Sequence, residues 1–184
     1  MKNLQNLDTH FIFMTGASGA GKTTVLKALE QELSSPLISL NFFDSIGVPP
    51  HEEMCRIYGS GEKWQELSTH KWIDNLVAIK NKKLIFLEGQ FNPMFAVSHL
   101  KKLGIVNYFM FCLYADRHVR EERLIHFRNQ PELVNDVMEN WSNVLRKITH
   151  DVGGFIINSS GSDANATARK IIRILESELS AGLK

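Results

Sequence analysis

Phe11-Ile-Phe-Met-Thr-Gly16-Ala-Ser-Gly-Ala-Gly21-Lys22-Thr23-Thr24 is the stretch that decides the fold, because an apolar run, a glycine loop and a helical pattern follow one another. It matches G-x-x-x-x-G-K-[ST], a pattern whose backbone N–H groups surround an anion at a helix N-terminus. Gly16 lets the chain leave a strand without a Cβ penalty, and Gly21 lets the backbone approach a phosphate. The stretch therefore predicts a phosphate-binding loop between a first strand and a first helix.

The side chains of this loop predict a nucleoside-triphosphate site. Lys22 would reach the β- and γ-phosphates, and the hydroxyl of Thr23 would bind Mg²⁺. ATP and Mg²⁺ are the expected cofactors, while the choice between ATP and GTP stays open. The alternatives are a chance match or a loop that kept its shape and lost its ligand. The residues expected to bind the nucleotide are Gly16, Ala17, Ser18, Gly19, Ala20, Gly21, Lys22, Thr23 and Thr24.

Length and composition are those of an ordinary globular protein. The 184 residues fit a single domain, residues 1–184, with 43% apolar and 22% charged residues. A formal net charge of +1 gives no overall field toward nucleic acid or a membrane. No run reaches the roughly 18 apolar residues of a membrane span, and residues 1–10 lack the apolar core of a signal peptide. We therefore expect a cytoplasmic protein.

Five short apolar runs alternate with longer helical patterns. The runs lie at about residues 11–15, 37–43, 84–87, 106–114 and 155–158. Helices are predicted over about residues 22–33, 51–58, 64–79, 94–103, 117–128, 131–147 and 163–179, with Asn92 and Asp116 as N-caps. This alternation is typical of βαβ crossovers around a parallel sheet buried on both faces. The expected fold class is α/β, with ligands at the carboxyl edge of the sheet.

Two acidic residues follow strands beside the phosphate loop. Asp44 ends the second apolar run, and Glu88 ends the third. Transfer from a Mg-bound triphosphate needs a carboxylate near the metal and, for a hydroxyl acceptor, one that takes its proton. We favour Asp44 as the base and Glu88, with Thr23, as the metal ligand, but the reverse assignment stays open. The competing interpretation of each acid is a solvated residue at a strand end.

An arginine-rich segment follows the fourth apolar run. Arg120 and Arg123 are three residues apart, so one helical face carries both. Guanidinium groups bind phosphate oxygens in pairs and stabilise charge that develops during transfer. The pattern predicts a lid over about residues 116–130, in which these two arginines clamp the moving phosphoryl group. The alternative is a solvated face, and the lack of interleaved aromatic residues argues against a nucleic-acid partner.

The chain resembles the P-loop kinases of the nucleotide and nucleoside kinase-like group, which includes adenylate, shikimate and gluconate kinases and chloramphenicol phosphotransferase. Residues 16–23 are similar to its phosphate loop, Asp44 to its acid after the second strand, and Arg120 with Arg123 to its lid arginines. The resemblance implies a three-layer α/β/α sandwich, a five-stranded parallel sheet of order 2-3-1-4-5, and acceptor-binding helices over about residues 49–80. Asp44 stands alone where shikimate kinases show a D-x-D pair.

Three functions are compatible with these residues. The leading hypothesis is a phosphotransferase that moves the γ-phosphoryl group of ATP to a small acceptor, expected to be a hydroxyl, with Lys22, Asp44, Arg120 and Arg123 as catalytic residues. A nucleoside-monophosphate kinase would need an arginine for the acceptor's phosphate, and Arg56 is the only one between residues 45 and 80. The third is a nucleotide-binding protein that hydrolyses slowly and acts as a switch or partner module. Acceptor identity and oligomeric state stay open.

Overall fold

One parallel sheet organises the chain. The computed structural model describes residues 8–181, so most of the polar N-terminal stretch in which we expected no signal peptide lies outside the described residues. The sheet has the order β2-β3-β1-β4-β5, and every neighbouring pair is parallel. The predicted fold class and strand order are confirmed. The strands are β1 (His10–Thr15), β2 (Ile38–Phe42), β3 (Leu84–Glu88), β4 (Tyr108–Tyr114) and β5 (Phe155–Asn158).

Helices cover both faces of this sheet. They are α1 (Lys22–Leu33), α2 (His51–Tyr58), α3 (Gly61–Ala78), α4 (Pro93–Lys102), α5 (Arg117–Glu122), α6 (Asp136–Asp151) and α7 (Ala164–Ala181). Alternate side chains of β1 enter two separate cores: Ile12 packs with residues of α1 and α7, whereas Phe13 packs with residues of α3 and α4. Successive strand residues point to opposite faces, so both faces of β1 are apolar. No helix within residues 8–181 combines the length and apolarity that a membrane span needs.

The first strand ends where the backbone turns sharply past β4. Gly16 has a φ of +154°, and a Cβ built on it would lie 2.2 Å from the carbonyl oxygen of Leu113. No side chain fits that space, so the loop can start here only with glycine. On the other side of β1, Glu88 is in register with Met14 and with Phe42 of β2. The ends of these three strands therefore meet at one edge.

The segment after β4 differs from the helices that we predicted. A continuous helix over residues 117–128 is wrong, because α5 ends at Glu122 and a π-helical turn, Arg123–Phe127, follows it. The N–H of Arg128 then donates to the carbonyl of Arg123 at 3.1 Å, a bond that spans five residues. Asp116 occupies the predicted N-cap position, but its side chain forms no capping hydrogen bond. Its carbonyl accepts from the N–H of Arg120 at 3.0 Å, and its own N–H donates to Ser160 Oγ at 2.7 Å.

The next predicted helix begins later than expected. A short 3₁₀ turn covers residues 131–133, and α6 starts only at Asp136. Asn135 is its N-cap, because the Asn135 side chain accepts a hydrogen bond of 2.8 Å from the N–H of Met138. A proline can open a helix, but Pro131 opens only the 3₁₀ turn. The cap formed by Asn135 gives α6 a separate start.

Candidate nucleotide and phosphoryl-transfer site

The phosphate loop connects β1 to α1, as the motif predicts. Gly21 is the N-cap of α1 and has a φ of 86°, a left-handed conformation that favours glycine. The ammonium group of Lys22 lies over the loop and donates to the carbonyl of Ala17 at 3.3 Å. Burial lowers the pKa of Lys22, while the charges of Glu88 and Asp44 act in the opposite direction. The lysine is therefore a poorly solvated cation that a phosphate group would stabilise further.

The metal-binding residues that we predicted are in direct contact. Thr23 Oγ1 donates to Glu88 Oε1 at 2.9 Å, across the end of β3. Glu88 is only 6% exposed, and its Oε2 atom is buried without a hydrogen-bond partner among residues 8–181. Burial raises the pKa of this carboxyl, although Lys22 and Thr23 lower it. A buried carboxylate oxygen that lacks a hydrogen-bond donor fits contact with a cation.

Thr23 and Glu88 fit a magnesium ion bound together with a triphosphate. Mg²⁺ prefers oxygen ligands and is usually held by one or two carboxylates plus substrate phosphates. Within the part of the chain that the structure describes, no group of three or more His, Cys, Asp or Glu side chains is placed to hold a metal alone. One hydroxyl and one carboxylate beside the phosphate loop would hold the ion only if a bound nucleotide supplied further oxygen ligands.

Asp44 lies at the same edge but is exposed. β2 ends at Phe42, and Asp44 follows within a 3₁₀ turn formed by residues 43–46. The charge of Asp44 contributes to the pKa values of both Lys22 and Glu88, which places its carboxylate near them. Asp44 is therefore open to contact with a molecule that enters from solvent.

The turn that carries Asp44 is fixed by close packing. A Cβ on Gly89 would lie 2.3 Å from the Cβ of Phe43, so the two backbones approach as closely as glycine allows. Trp72 of α3 donates from Nε1 to the carbonyl of Phe43 at 3.0 Å. Phe43 is 2% exposed. The backbone position of Asp44 is thus set by β3 on one side and by α3 on the other.

A chain of amide groups links α3 to the phosphate loop, and sequence reasoning missed it. Ser18 Oγ donates to Gln90 Oε1 at 3.1 Å, and Gln65 of α3 donates from Nε2 to the carbonyl of Gln90 at 3.1 Å. The N–H of Asn92 donates back to Gln65 Oε1 at 2.9 Å. Glutamines at these spacings carry no sequence signal, because their pairing depends on how α3 crosses the sheet.

Arg120 is a buried structural partner rather than a residue that lines a ligand cavity. It is 3% exposed, forms an ion pair with Glu139 of α6, and lies 3.5 Å through Nη1 from the carbonyl of Ser18. Its guanidinium is therefore already shared between a carboxylate and the phosphate loop. The predicted catalytic clamp at Arg120 stays a prediction, with this geometry against it.

Arg123 contacts the loop that it was predicted to cover, through protein acceptors. Nη1 donates to the carbonyl of Gly19 at 3.2 Å and to Ser159 Oγ at 3.1 Å, and Nη2 donates to the carbonyl of Ser159 at 2.9 Å. Ser159 in turn donates to the carbonyl of Ala20 at 2.9 Å. Arg123 and Ser159 thus brace the phosphate loop from the lid and from the end of β5.

A cavity of about 600 Å³ opens beside the phosphate loop. Its volume lies within the rough range of 300–1,000 Å³ that is usual for small-molecule sites. Arg128 lines it, and its charge lowers the pKa of both Lys22 and Glu88, so its guanidinium lies near the phosphate end. The lining comes from the loop and α1 (Gly19, Gly21, Lys22, Thr23, Thr24, Val25), the lid (Arg123, Phe127, Arg128) and the β5–α7 region (Ser159, Ser162, Asp163, Ala164, Thr167).

The sequence prediction selected two arginines, of which Arg123 lines this cavity and Arg120 does not. It chose Arg120 and Arg123 because an α-helix carries residues three apart on one face. The same helix would place residue 128 about 140° away from residue 123, on a different side. The π-helical turn changes that relationship and brings Arg128 to the cavity. Arg128 and Phe127 lie within the lid predicted over about residues 116–130, but their place in the cavity could not be inferred from α-helical spacing, because a π turn has no reliable signal in a single sequence.

Comparison with known proteins gives structural neighbours only. No protein-family model matches the sequence, and no curated protein matches it. A shikimate kinase from Acinetobacter baumannii, solved in complex with shikimate, shares 19% identity and a TM-score of 0.63, covering 92% of this chain and 94% of that one. The tunicamycin resistance protein of Deinococcus radiodurans shares 18% identity and a TM-score of 0.63, covering 91% and 95%.

A third neighbour extends the same pattern. The shikimate kinase of Aquifex aeolicus shares 16% identity and a TM-score of 0.60, covering 91% of this chain and 97% of that one. These identities are low, while the coverage is nearly complete on both sides. The chain therefore has the fold of the P-loop kinases, the group that its sequence motifs resemble.

Proposed function

We propose that the protein is an ATP- and Mg²⁺-dependent kinase that transfers the γ-phosphoryl group to a hydroxyl of a small acceptor. The observation that carries this proposal is the buried Oε2 of Glu88, which has no partner and lies beside Thr23 and the phosphate loop. A phosphate loop alone fits any nucleotide-binding protein. A carboxylate that lacks only a cation, next to a cavity for a nucleotide, supports a site for metal-assisted transfer.

The role proposed for each residue rests on where its side chain lies in the site. The loop amides and Lys22 hold the phosphates, and Arg128 neutralises charge from the lid side. When bound, Mg²⁺ would supply charge neutralisation at the phosphates, held by Thr23 and Glu88. Asp44 is exposed and close enough to Lys22 for its charge to act on it, so it would accept the proton of the attacking hydroxyl. We propose a structural rather than catalytic role for Arg120, since Glu139 already pairs with it.

The acceptor region supports a molecule without a phosphate group. Arg56 of α2 is 73% exposed and pairs with Glu53, and Lys63 of α3 pairs with Glu66. The cations that influence the pKa of Glu88 are Lys22 and Arg128, both on the nucleotide side. A phosphorylated acceptor would require a cation in the acceptor region that is not already paired with a carboxylate. This arrangement disfavours a nucleoside-monophosphate kinase and favours a hydroxylated acceptor.

The test measures ATP turnover with candidate acceptors. Purified protein with Mg²⁺ and ATP is incubated with shikimate, tunicamycin, nucleosides, sugars and a small-molecule cell extract, and products are searched by mass spectrometry for one added HPO₃ group. Lys22→Ala is the inactive comparison, and Lys27→Ala, an exposed lysine of α1, is the matched control. A phosphorylated product that requires Lys22 supports the kinase.

A second candidate is a slow NTPase that acts as a switch or partner module. It is favoured by the engagement of Arg120 and Arg123 with protein acceptors, which leaves fewer free cations for transfer. Slow hydrolysis that requires Lys22 but is indifferent to every acceptor, with no HPO₃-modified product from the extract, would favour this candidate over the kinase.

A further inference from the structure

Phe127 is an exposed aromatic side chain in a functional position. It is 78% exposed and lines the 600 Å³ cavity beside the phosphate loop. An exposed apolar residue alone needs no explanation. An exposed aromatic ring that lines a cavity beside a phosphate loop needs one, because it offers a flat apolar face to a ligand in that cavity.

The π-helical turn holds this ring in place. Its first residue, Arg123, is fixed to Gly19 and Ser159, and the next, Leu124, is 1% exposed. The turn closes with the five-residue bond from Arg128 to Arg123 and a 2.9 Å bond from the N–H of Gln130 to the carbonyl of Leu124. Phe127 is therefore presented from an anchored segment, at the same turn that brings Arg128 to the phosphate end.

Two polar side chains of the cavity wall formed by the β5–α7 region are already hydrogen-bonded. Asp163 Oδ1 accepts from the N–H of Ala166 at 2.6 Å, and Thr167 Oγ1 donates to the carbonyl of Asp163 at 2.9 Å. Thr167 is also only 2% exposed. These contacts lie at the start of α7 and engage Asp163 Oδ1 and the Thr167 hydroxyl, two of the side-chain groups that could contact the edge of a base.

Resting on the proposed nucleotide site, we infer that Phe127 stacks on the purine base of the donor nucleotide, and that the protein therefore uses ATP and GTP with similar affinity. Stacking recognises the face of a base, which all purines share, and does not read its edge. The sequence left the choice between ATP and GTP open. By this inference Phe127, the side chain that contacts the base, allows both.

The experiment compares binding of three probes to variants of the full chain. Mg·ATP, Mg·GTP and Mg·tripolyphosphate are titrated by calorimetry into the wild type and into Phe127→Ala, Phe127→Leu and Phe127→Trp. Ile125→Ala is the matched control, because Ile125 lies on the same turn, is 44% exposed and does not line the cavity. Since Phe127 is exposed, its replacement leaves the fold intact, which circular dichroism checks.

Stacking predicts a pattern across these probes. Phe127→Ala and Phe127→Leu should each weaken ATP and GTP about 10- to 100-fold and leave tripolyphosphate unchanged, while Phe127→Trp and Ile125→Ala should bind as the wild type does. Equal ATP affinity in Phe127→Ala, or retention in Phe127→Leu, would overturn stacking. A preference of the wild type for ATP or GTP by more than about tenfold would overturn the dual use of donors.

The outcomes also separate this inference from the proposed function. If the wild type binds neither ATP nor tripolyphosphate, the nucleotide site itself is wrong and both proposals fall. If both probes bind in a Lys22-dependent manner but Phe127→Ala binds ATP normally, only the stacking inference is lost, and the proposed kinase site stands.

Discussion

Thr23 of α1 and Glu88 of β3 are joined by a 2.9 Å hydrogen bond across the carboxyl edge of the sheet. The two residues are 65 positions apart, and the contact exists because β1 and β3 are paired in register up to Glu88. Only one oxygen of the carboxylate is satisfied by this bond, since the other is buried without a partner. Because one oxygen of this buried carboxyl has no hydrogen-bond donor, we expect the stability of the site to depend on pH and on bound cations.

The first prediction concerns the pH dependence of stability. Burial raises the pKa of Glu88 in the folded state above its unfolded value. The contribution of Glu88 to stability is therefore fully present below the unfolded pKa and is lost as the pH rises through the folded pKa. Glu88→Gln should remove this loss, which has a slope of at most about 1.4 kcal/mol per pH unit for one proton. Urea unfolding between pH 4 and 8 measures it.

The control for this prediction is Glu30→Gln, which changes an exposed carboxyl of α1. It should leave the shape of the stability profile unchanged. Identical pH profiles for wild type and Glu88→Gln would contradict a raised pKa at Glu88. Added Mg²⁺ with nucleotide should raise the melting temperature of the wild type more than that of Glu88→Gln.

Lys22→Ala should abolish nucleotide binding while the fold remains. The ammonium group of Lys22 lies at the loop and attracts phosphate, although burial lowers its pKa. Its removal deletes that attraction. Because the group is polar, its loss exposes no apolar core. Calorimetric titration with Mg·ATP should show at least a hundredfold weaker affinity, and circular dichroism should be unchanged. Comparable weakening in Lys27→Ala would show that general surface charge, not the loop lysine, holds the nucleotide.

Asp44→Asn should separate transfer from binding. Asp44 is exposed and lies outside the residues that line the nucleotide cavity, so the affinity for ATP should stay within about twofold. Transfer to the acceptor should fall roughly a hundredfold, as expected for loss of an acid–base group. Single-turnover kinetics measure this. Replacement of the neighbouring exposed Ser45 by alanine is the control, and equal rates for Asp44→Asn and wild type would exclude Asp44 as the base.

Arg120→Ala and Arg128→Ala should have opposite phenotypes. Arg120 is buried against Glu139, so its removal should lower the free energy of unfolding by about 2–4 kcal/mol. Arg128 lines the cavity, and its removal should weaken Mg·ATP binding about tenfold or more with little change in stability. A stable Arg120→Ala variant with normal nucleotide affinity and lost transfer would instead restore the catalytic clamp.

Much of the site could be predicted from local patterns. The loop from Gly16 to Thr23 was recognisable because a tight backbone turn and an anion nest need particular residues at fixed spacings. The strand order agreed with the resemblance, and Glu88 at the end of β3 was visible as an acid after an apolar run. The contacts of the arginines were not predictable from spacing alone, because an α-helical spacing was assumed where Arg123–Phe127 form a π turn.

By itself, the sequence determined the elements that depend on near neighbours: the alternation of strands and helices, the phosphate loop, and the position of Asp44 after β2. Only the tertiary structure decided which polar groups meet across the sheet, including the contact of Thr23 with Glu88, the burial of Arg120 on Glu139, and the exposure of Phe127 in the cavity. Local patterns are set by backbone sterics and side-chain periodicity, whereas these contacts depend on residues distant in the chain that packing brings together.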